Sequence, residues 1–393
     1  MIYSFADCSL DTDRYTLLRN GKEVHVEPQV FDVLRLFVEN AGNLITSEQL
    51  IARVWNGRSI SDAAISSRIN AARTSVGDNG KAQRVIKTLP RRGFKLVPTV
   101  EVAGKTRDHV QAKANQVVRY ARSKDGTDIA YAVTGKGLKL LRTGHFLTHL
   151  EHDWTNAVWR PYLDRLGVEH SVVRYDQRGT GLSIGNPADL SIEAQANDLL
   201  AVADAAAMKQ FPLIATSQGV PVAIHFAAHH PDRVTCLVLY GGFAQGRLMR
   251  GERHSVDEAN ALLTMVRAGW GNPNSAFMMA FNALYCPTAT QEELNSLAKI
   301  QLASATPEMA ARVRTAIDTI DIMSVISRVK VPTLVIHARH ETLNPISQGR
   351  LLASHIPNAE FIEVDSPNHI ILPSHPTFDE ILAAKLKFIA GFE

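Results

Sequence analysis

Ser217 is the residue in this chain whose setting best suits nucleophilic chemistry. It centres the pentapeptide Ala215-Thr216-Ser217-Gln218-Gly219, with the apolar run FPLIAT leading in and the helix-like VPVAIHFAAHH leading out. A strand that turns sharply into a helix can hold a serine hydroxyl clear of its own backbone, on a strained turn that tolerates only small neighbours. A second chemistry is written in charge. From residue 53 to 95 ten Lys and Arg stand against Asp62 and Asp78, a net +8, whereas residues 1–52 sum to −4 and everything after residue 95 to −1. The formal net charge of +3 hides this sorting. Concentrated positive charge beside a near-neutral remainder is an electrostatic footprint for a polyanion, above all nucleic acid.

Two features this far apart call for two folding units, and 393 residues exceed the roughly 150 of a typical domain. Hydrophobic residues at 45% and charged residues at 21% exclude a wholly disordered, collagen-like or coiled-coil chain. Cys8, Cys236 and Cys286 are odd in number and far apart, which excludes a disulfide framework or CxxC knuckle and favours a reducing compartment. The start, MIYSFADCSLDTDR, carries acidic residues where a signal peptide is basic, and there is no apolar run long enough to span a bilayer. The expectation is a cytoplasmic protein with no membrane partner.

In the first unit, RYTLLRNGKEVHV (14–26) reads as a hairpin around Asn20-Gly21. Pro28 opens a helix with Val30, Phe31, Leu34, Phe37 and Val38 at helical spacing. Thr46-Ser47-Glu48-Gln49 has the spacing of a capping box. A third helix, from about Asp62 to Val76, aligns Ile65, Ile69, Ala72 and Val76, and RVIKTL, PRRG and FKLV follow as strand, turn and strand. Small sheet, three helices and closing hairpin make a winged helix-turn-helix. The segments LITSEQLIARVW, SDAAISSRINAARTSVGD and RVIKTLPRRGFKL resemble the DNA-binding domain of the OmpR/PhoB type over residues 1–100. Opposite the apolar stripe, the third helix carries Ser67, Asn70 and Thr74, short polar side chains suited to base edges in the major groove. Arg68 and Arg73 flank that face for phosphates, and Arg91, Arg92 and Lys95 arm the wing. Residues 101–116 read as a polar linker.

From residue 117 to 393, extended runs alternate with helical ones: VVRYARS, DIAYAVTG, LKLLRTG, HSVVRYD, FPLIAT, VTCLVLY, VPTLVIHA and AEFIEV. That order predicts a mostly parallel sheet covered on both faces. It resembles the α/β-hydrolase fold, and VVRYDQRGTGLS is close to that family's strand-and-loop signature. The family pattern Gly-x-Ser-x-Gly has glycine where this chain has Ala215. The resemblance implies a Ser-acid-His triad in chain order: Ser217, Glu341 in HARHETLNP where the family more often has Asp, and His369 in DSPNHIIL. It also implies an oxyanion hole from the amide of Gln218 and from the loop Thr143-Gly144-His145, where the bulky His145 departs from the common His-Gly-apolar pattern. A helical cap is expected over about 241–325, with Met249, Met265, Trp270, Phe277, Met278, Met279, Phe281 and Tyr285 as an apolar inventory for packing or for a pocket. His149, Glu151 and His152 lack a fourth ligand at defined spacing, so they are read as lining or closing the pocket and no metal or cofactor is called for.

Together the halves suggest a one-component transcriptional regulator. Its partners would be double-stranded DNA and a small hydrophobic ester, lactone or amide, bound or cleaved by the second domain, with a homodimer suited to paired half-sites. The alternative is a serine hydrolase with an accessory DNA-binding module.

Overall fold

The computed structural model describes all residues except 1, 13, 42–43, 56–59, 91, 99, 104–115, 184, 273–274 and 393. The chain forms two compact units, Met1–Ala114 and Asn115–Glu393.

The first unit opens with β1 (Ile2–Phe5), β2 (Cys8–Asp11), β3 (Thr16–Arg19) and β4 (Lys22–Val24) as an antiparallel meander. Asn20 and Gly21 both have positive φ, +50° and +74°, as the tight two-residue hairpin between β3 and β4 requires. Then come α1 (Pro28–Glu39), β5 (Leu44–Ile45), α2 (Ser47–Val54), α3 (Asp62–Ser75), β6 (Ile86–Leu89), β7 (Gly93–Leu96) and β8 (Val100–Ala103). Pro28 sits in the first turn of α1, and Thr46 and Gln49 close a reciprocal capping box on α2. Val30, Phe31, Leu34 and Phe37 of α1 pack with Ile65, Ile69 and Ala72 of α3, which joins the helices in one core. The strands β5, β7 and β6 make the wing sheet. The sequence reading did not assign β1 and β2, and it placed the linker from residue 101; Val100–Ala103 instead pairs antiparallel with β1, so the chain returns to the first sheet before leaving the unit. Most of the linker, 104–115, lies outside the described residues.

The second unit runs β9 (Val118–Arg122), β10 (Asp128–Gly135), β11 (Leu138–Arg142), α4 (Leu150–Asp153), α5 (Trp159–Leu166), β12 (His170–Tyr175), α6 (Ile192–Ala205), β13 (Phe211–Thr216), α7 (Gly219–His229) and β14 (Val234–Tyr240). Four helices follow before the next strand: α8 (Arg253–Gly269), α9 (Ala276–Tyr285), α10 (Gln291–Ser304) and α11 (Pro307–Asp318). The chain then completes β15 (Thr333–Ala338), α12 (Ile346–His355), β16 (Glu360–Val364) and α13 (Phe378–Ala390). The eight strands lie in the order β16-β15-β14-β13-β11-β12-β10-β9. Among these described strands β10 alone runs antiparallel to its neighbours, β9 and β12; the other pairings are parallel. All eight predicted extended runs are strands.

Helices cover both faces, as a parallel sheet needs. Leu199 of α6, Phe226 of α7 and Leu352 of α12 fill one core, and Tyr162 of α5 and Leu382 of α13 fill the other. The signature VVRYDQRGTGLS proves to be a buried brace. Arg178 donates to both oxygens of Asp198 at 2.7 and 2.6 Å and to Asp125 at 2.8 Å, while Asp176 accepts the amides of Leu150 (3.1 Å) and Leu182 (2.8 Å). These bonds pin the loops beyond β9, β11 and β12, on the side where the parallel strands end and ligands bind in open α/β sheets.

Candidate active site and nucleic-acid interface

β13 is buried along its whole length and delivers Ser217 with φ +55°, a left-handed conformation that a non-glycine residue holds only where the surroundings enforce it. The enforcement is visible: the Ser217 amide donates to Tyr240 O (2.9 Å) and its carbonyl accepts from Val220 N (3.0 Å). Smallness matters next door. A Cβ on Gly219 would sit 2.2 Å from Thr143 Oγ1 and 2.6 Å from Gly144 O, so only glycine lets α7 start this close to the loop after β11.

Glu341, from the loop after β15, and His369, from the loop after β16, meet Ser217. His369 Nε2 is 2.7 Å from Ser217 Oγ and its Nδ1 is 2.8 Å from Glu341 Oε2. With Nδ1–H donating to the carboxylate, Nε2 is the lone pair that accepts the serine O–H. Glu341 is buried and fully engaged, since Oε1 also accepts the Asn344 amide (3.0 Å) and faces His337 Nε2 at 3.3 Å. Burial alone would raise its carboxyl pKa, yet the His369 and His337 contacts outweigh burial and hold it below the usual value. His337 shows the mirror effect: burial pulls its pKa down and Glu341 raises it overall. The sequence reading missed His337, although its place four residues before Glu341 in HARHE was the available signal. The loop that carries His369 is fixed by its own amide on Tyr285 O (2.8 Å) and by Asn368, which donates to Thr288 Oγ1 (2.6 Å).

Gln218 and His145 flank this chain of hydrogen bonds. Gln218 is buried, its side-chain nitrogen held by Gln195 Oε1 (2.7 Å), and among the described residues no acceptor takes its backbone amide. His145 is part of the cavity wall, its ring tilted by 35° against Trp159 at 4.6 Å between centroids, with Nδ1 3.3 Å from Phe146 O and Nε2 unpartnered among the described residues. Burial, then the neighbouring Arg142 cation, drives its pKa well below the ordinary histidine range, so the ring is neutral. A small, mainly apolar cavity opens over Ser217, walled by His145, Trp159, Leu297, Ile300 and Tyr285. Of the apolar cap inventory, Tyr285 reaches that wall. Trp270, Met278 and Phe281 pack the helices onto the core, while Met249 and Phe277 are exposed. The expectation for His149, Glu151 and His152 is corrected: none lines the cavity, because His149 caps α4 through its Nδ1 and the other two are exposed.

In the first unit, α3 turns Ser67, Asn70 and Thr74 to solvent, as its buried stripe requires. Two of the three are partly engaged: Asn70 Oδ1 accepts from Arg73 Nη1 (3.1 Å), and the Thr74 hydroxyl donates to Asn70 O (3.0 Å). Arg73 itself is a correction. It is 5% exposed and donates through Nε to Ile86 O (3.0 Å) and through Nη2 to Thr88 Oγ1 (2.6 Å), so it ties α3 to β6 instead of flanking the helix for phosphates. Arg68 is half-buried and ion-paired with Glu27 at the start of α1. On the wing Arg92 is exposed and Lys95 half-buried; Arg91 lies outside the described residues. Unforeseen from sequence, Asp78 is buried and accepts four amides, from Asn79, Arg84, Val85 and Ile86 at 2.8 to 3.0 Å, which ties the end of α3 to β6. Burial raises its pKa but those amides more than reverse it, leaving it lowered.

Residues 151–376 match the α/β hydrolase fold family, and since that span is more than half of the chain, the protein belongs to it. Residues 21–96 match the family described as transcriptional regulatory protein, C terminal, so an OmpR/PhoB-type DNA-binding module stands before the hydrolase fold. The chain is similar to a putative carbamate hydrolase, RutD, of Azorhizobium caulinodans, 28% identical over 268 residues, or 67% of this chain and 96% of that protein. Its N-terminal part is similar to the transcriptional activator CadC of Escherichia coli, 32% identical over 83 residues, covering 21% of this chain and 16% of that protein. Among solved structures, the esterase RhEst1 from Rhodococcus sp. superposes with a TM-score of 0.57 at 22% identity, covering 70% of this chain and 99% of that one, which is a likeness of fold. Among the described residues no helix is long and apolar enough to cross a membrane.

Proposed function

We propose that the protein is a one-component, cytoplasmic transcriptional regulator whose winged helix binds double-stranded DNA and whose hydrolase domain binds and cleaves a small ester, lactone or amide. Ser217 is the nucleophile, His369 the base that takes its proton, and Glu341 the carboxylate that fixes the imidazole and stabilises its charged form. The observation that carries this reading is the continuous chain Ser217 Oγ, His369 and Glu341 at 2.7 and 2.8 Å, on a serine held at positive φ. A Gln218 amide left open beside the serine suits an oxyanion, with the second donor from the His145 loop. Similarity to a putative carbamate hydrolase favours the carbonyl chemistry of amides and carbamates as much as that of esters.

Hydrolysis of a short-chain chromogenic ester by the full-length protein, beside its Ser217→Ala variant and with intact mass followed for an acyl adduct, tests the chemistry. Turnover that disappears with Ser217 supports the reading. If the wild type neither turns over nor forms an adduct, while still binding DNA, the result counts against cleavage and favours a non-catalytic receptor. The alternative of a serine hydrolase with an accessory DNA module predicts the opposite pair: turnover with no ligand effect on DNA binding.

A further inference from the structure

The space around Ser217 has two chambers of opposite character. Ser217, His369, Phe146 and Tyr285 border both. On one side lies the apolar cavity already described. On the other is a smaller, narrower chamber that reaches Arg247, Arg314 and Asn344. Arg247 comes from the short turn that begins the helical insertion, and Arg314 from α11 near its end, so the two ends of the insertion each place a cation beside the serine.

Both guanidinium groups are almost completely buried, with side-chain exposure of 4% each, and they share one buried carboxylate. Arg314 takes both oxygens of Asp318, Nε at 3.0 Å and Nη2 more closely, and lies beside Tyr285 on the chamber lining. Arg247 is left with weaker partners. Its Nη1 is 3.5 Å from Asp318 Oδ1, one Nη2 bond goes to Leu343 O, and its buried Nε has no hydrogen-bond acceptor among the described residues. The other acid near it, Glu258, is 3.6 Å from that Nε and half-exposed. Arg250 adds a third cation next to Arg247, bound to Gln245 O and Asn344 Oδ1. Its acidic neighbours outside the buried shell, Glu258 and Glu252, are both exposed. Glu341, the remaining buried acid nearby, is spent on His369, His337 and Asn344. Among its buried groups the chamber therefore sets two guanidinium groups against one carboxylate, with Glu258 a counter-ion at the exposed margin, and leaves one guanidinium N–H without a hydrogen-bond acceptor, a costly arrangement in a buried setting unless an anion completes it. A guanidinium fork matches the two oxygens of a carboxylate.

We propose that the ligand carries a carboxylate seated against Arg247 and Arg314, an apolar arm in the larger chamber, and its ester, lactone or amide bond between them over Ser217. This deepens the hydrolase reading and rests on it for the cleaved bond alone. In the cleavage, Ser217 Oγ bonds to the carbonyl carbon, its proton passes to His369 and on to the leaving alcohol or amine, and water then releases the acid from the serine.

The test uses the full chain and benzyl hydrogen esters of succinate, glutarate and adipate, each against its neutral benzyl methyl diester, with benzyl alcohol release as the readout. The wild type should favour a monoanion over its diester by at least about tenfold in kcat/KM. Arg247→Met should bring that ratio towards one, and Arg247→Lys should retain part of it. Arg247 is the position to change because Arg314 keeps Asp318 on two bonds when Arg247 is gone. The ratio is independent of the fraction of protein folded, so a loss of stability cannot mimic the effect. Diesters cleaved as fast as monoanions across the series would overturn the anionic subsite while leaving the hydrolase reading intact. If neither is cleaved, calorimetric titration of Ser217→Ala decides: binding of a monoanion but not its diester sustains the subsite without hydrolysis, and equal or absent binding of both overturns it.

Discussion

Replacing Arg73 with Met should weaken the winged helix itself rather than its grip on phosphates. The side chain makes three hydrogen bonds, to Ile86 O, Thr88 Oγ1 and Asn70 Oδ1, at 5% exposure. At a net value of about 1 kcal/mol for each bond, and somewhat more for a charged donor, their removal amounts to about 2–4 kcal/mol. For a domain of this size that lowers Tm by roughly 10–25 °C. Thermal unfolding of the full-length chain by calorimetry reads the first number as a shift of the transition that belongs to the N-terminal unit. Binding of a labelled duplex across a salt series, at a temperature where both proteins are folded, reads the second number. Each DNA phosphate no longer neutralised by a protein cation reduces the slope of log K against log salt by about 0.9. Arg73→Met should leave that slope unchanged, whereas Arg92→Ala, at an exposed wing position, should reduce it by about 0.9 with stability within about 0.5 kcal/mol of wild type. An Arg73→Met protein that melts with the wild type and binds DNA with a lower slope would refute the structural assignment and restore the phosphate role.

Glu341→Gln should lower kcat by about 10³- to 10⁴-fold, because an amide nitrogen would confront one of the donors that the two carboxylate oxygens now accept. The matched control is Glu363→Gln, a carboxylate that pairs with Arg339 and Arg350 on the surface; retention of more than a tenth of wild-type turnover in Glu341→Gln removes the residue from the catalytic set. A pH dependence follows from Asp176, which is fully buried and whose pKa is pushed up to about 7, first by burial and then by Asp153. A carboxyl that holds its proton more tightly when folded is most favourable below its unfolded pKa and loses that contribution as pH rises through 7. The stability of Asp176→Asn relative to wild type should therefore climb between pH 4 and about 7 by a few kcal/mol and then level off. A difference in Tm that stays flat across that range in pH-stepped melts counts against a raised Asp176 pKa in the folded state.

Periodicity and turn chemistry made most of the fold legible. The hairpin at Asn20-Gly21, the Thr46 capping box, the α3 stripe and all eight extended runs of the hydrolase half were readable because each is a local rule, a backbone conformation or a spacing. What escaped were pairings that join distant segments. β1 and β2 are short, and β8 looked like linker because Val100–Ala103 runs straight into the polar stretch 104–116 and is ordered by pairing with β1, nearly a hundred residues earlier. The same division runs through the site. Ser217 announces itself by local context, and Glu341 and His369 through resemblance and chain order, but His337 offers only a spacing, four residues before Glu341, until β15 brings it against the carboxylate.

Charge was the least transparent signal, for a physical reason. A sequence counts arginines without showing their solvent, and here burial decides what each one does. Arg73 sits inside the basic block that marks the DNA-binding unit, yet it is a brace between α3 and β6. Arg247 and Arg314 sit in a half whose net charge is close to zero, and nothing in their local sequence singles them out. Folding removes both from water and gives them one buried acid, Asp318, to share. A neutral total can thus conceal a strong local field, because attraction and repulsion at short range in a poorly solvated site outweigh the many exposed charges screened at a distance. The footprint for DNA was read from a surplus along the chain, whereas the footprint for a carboxylate exists as a surplus in space.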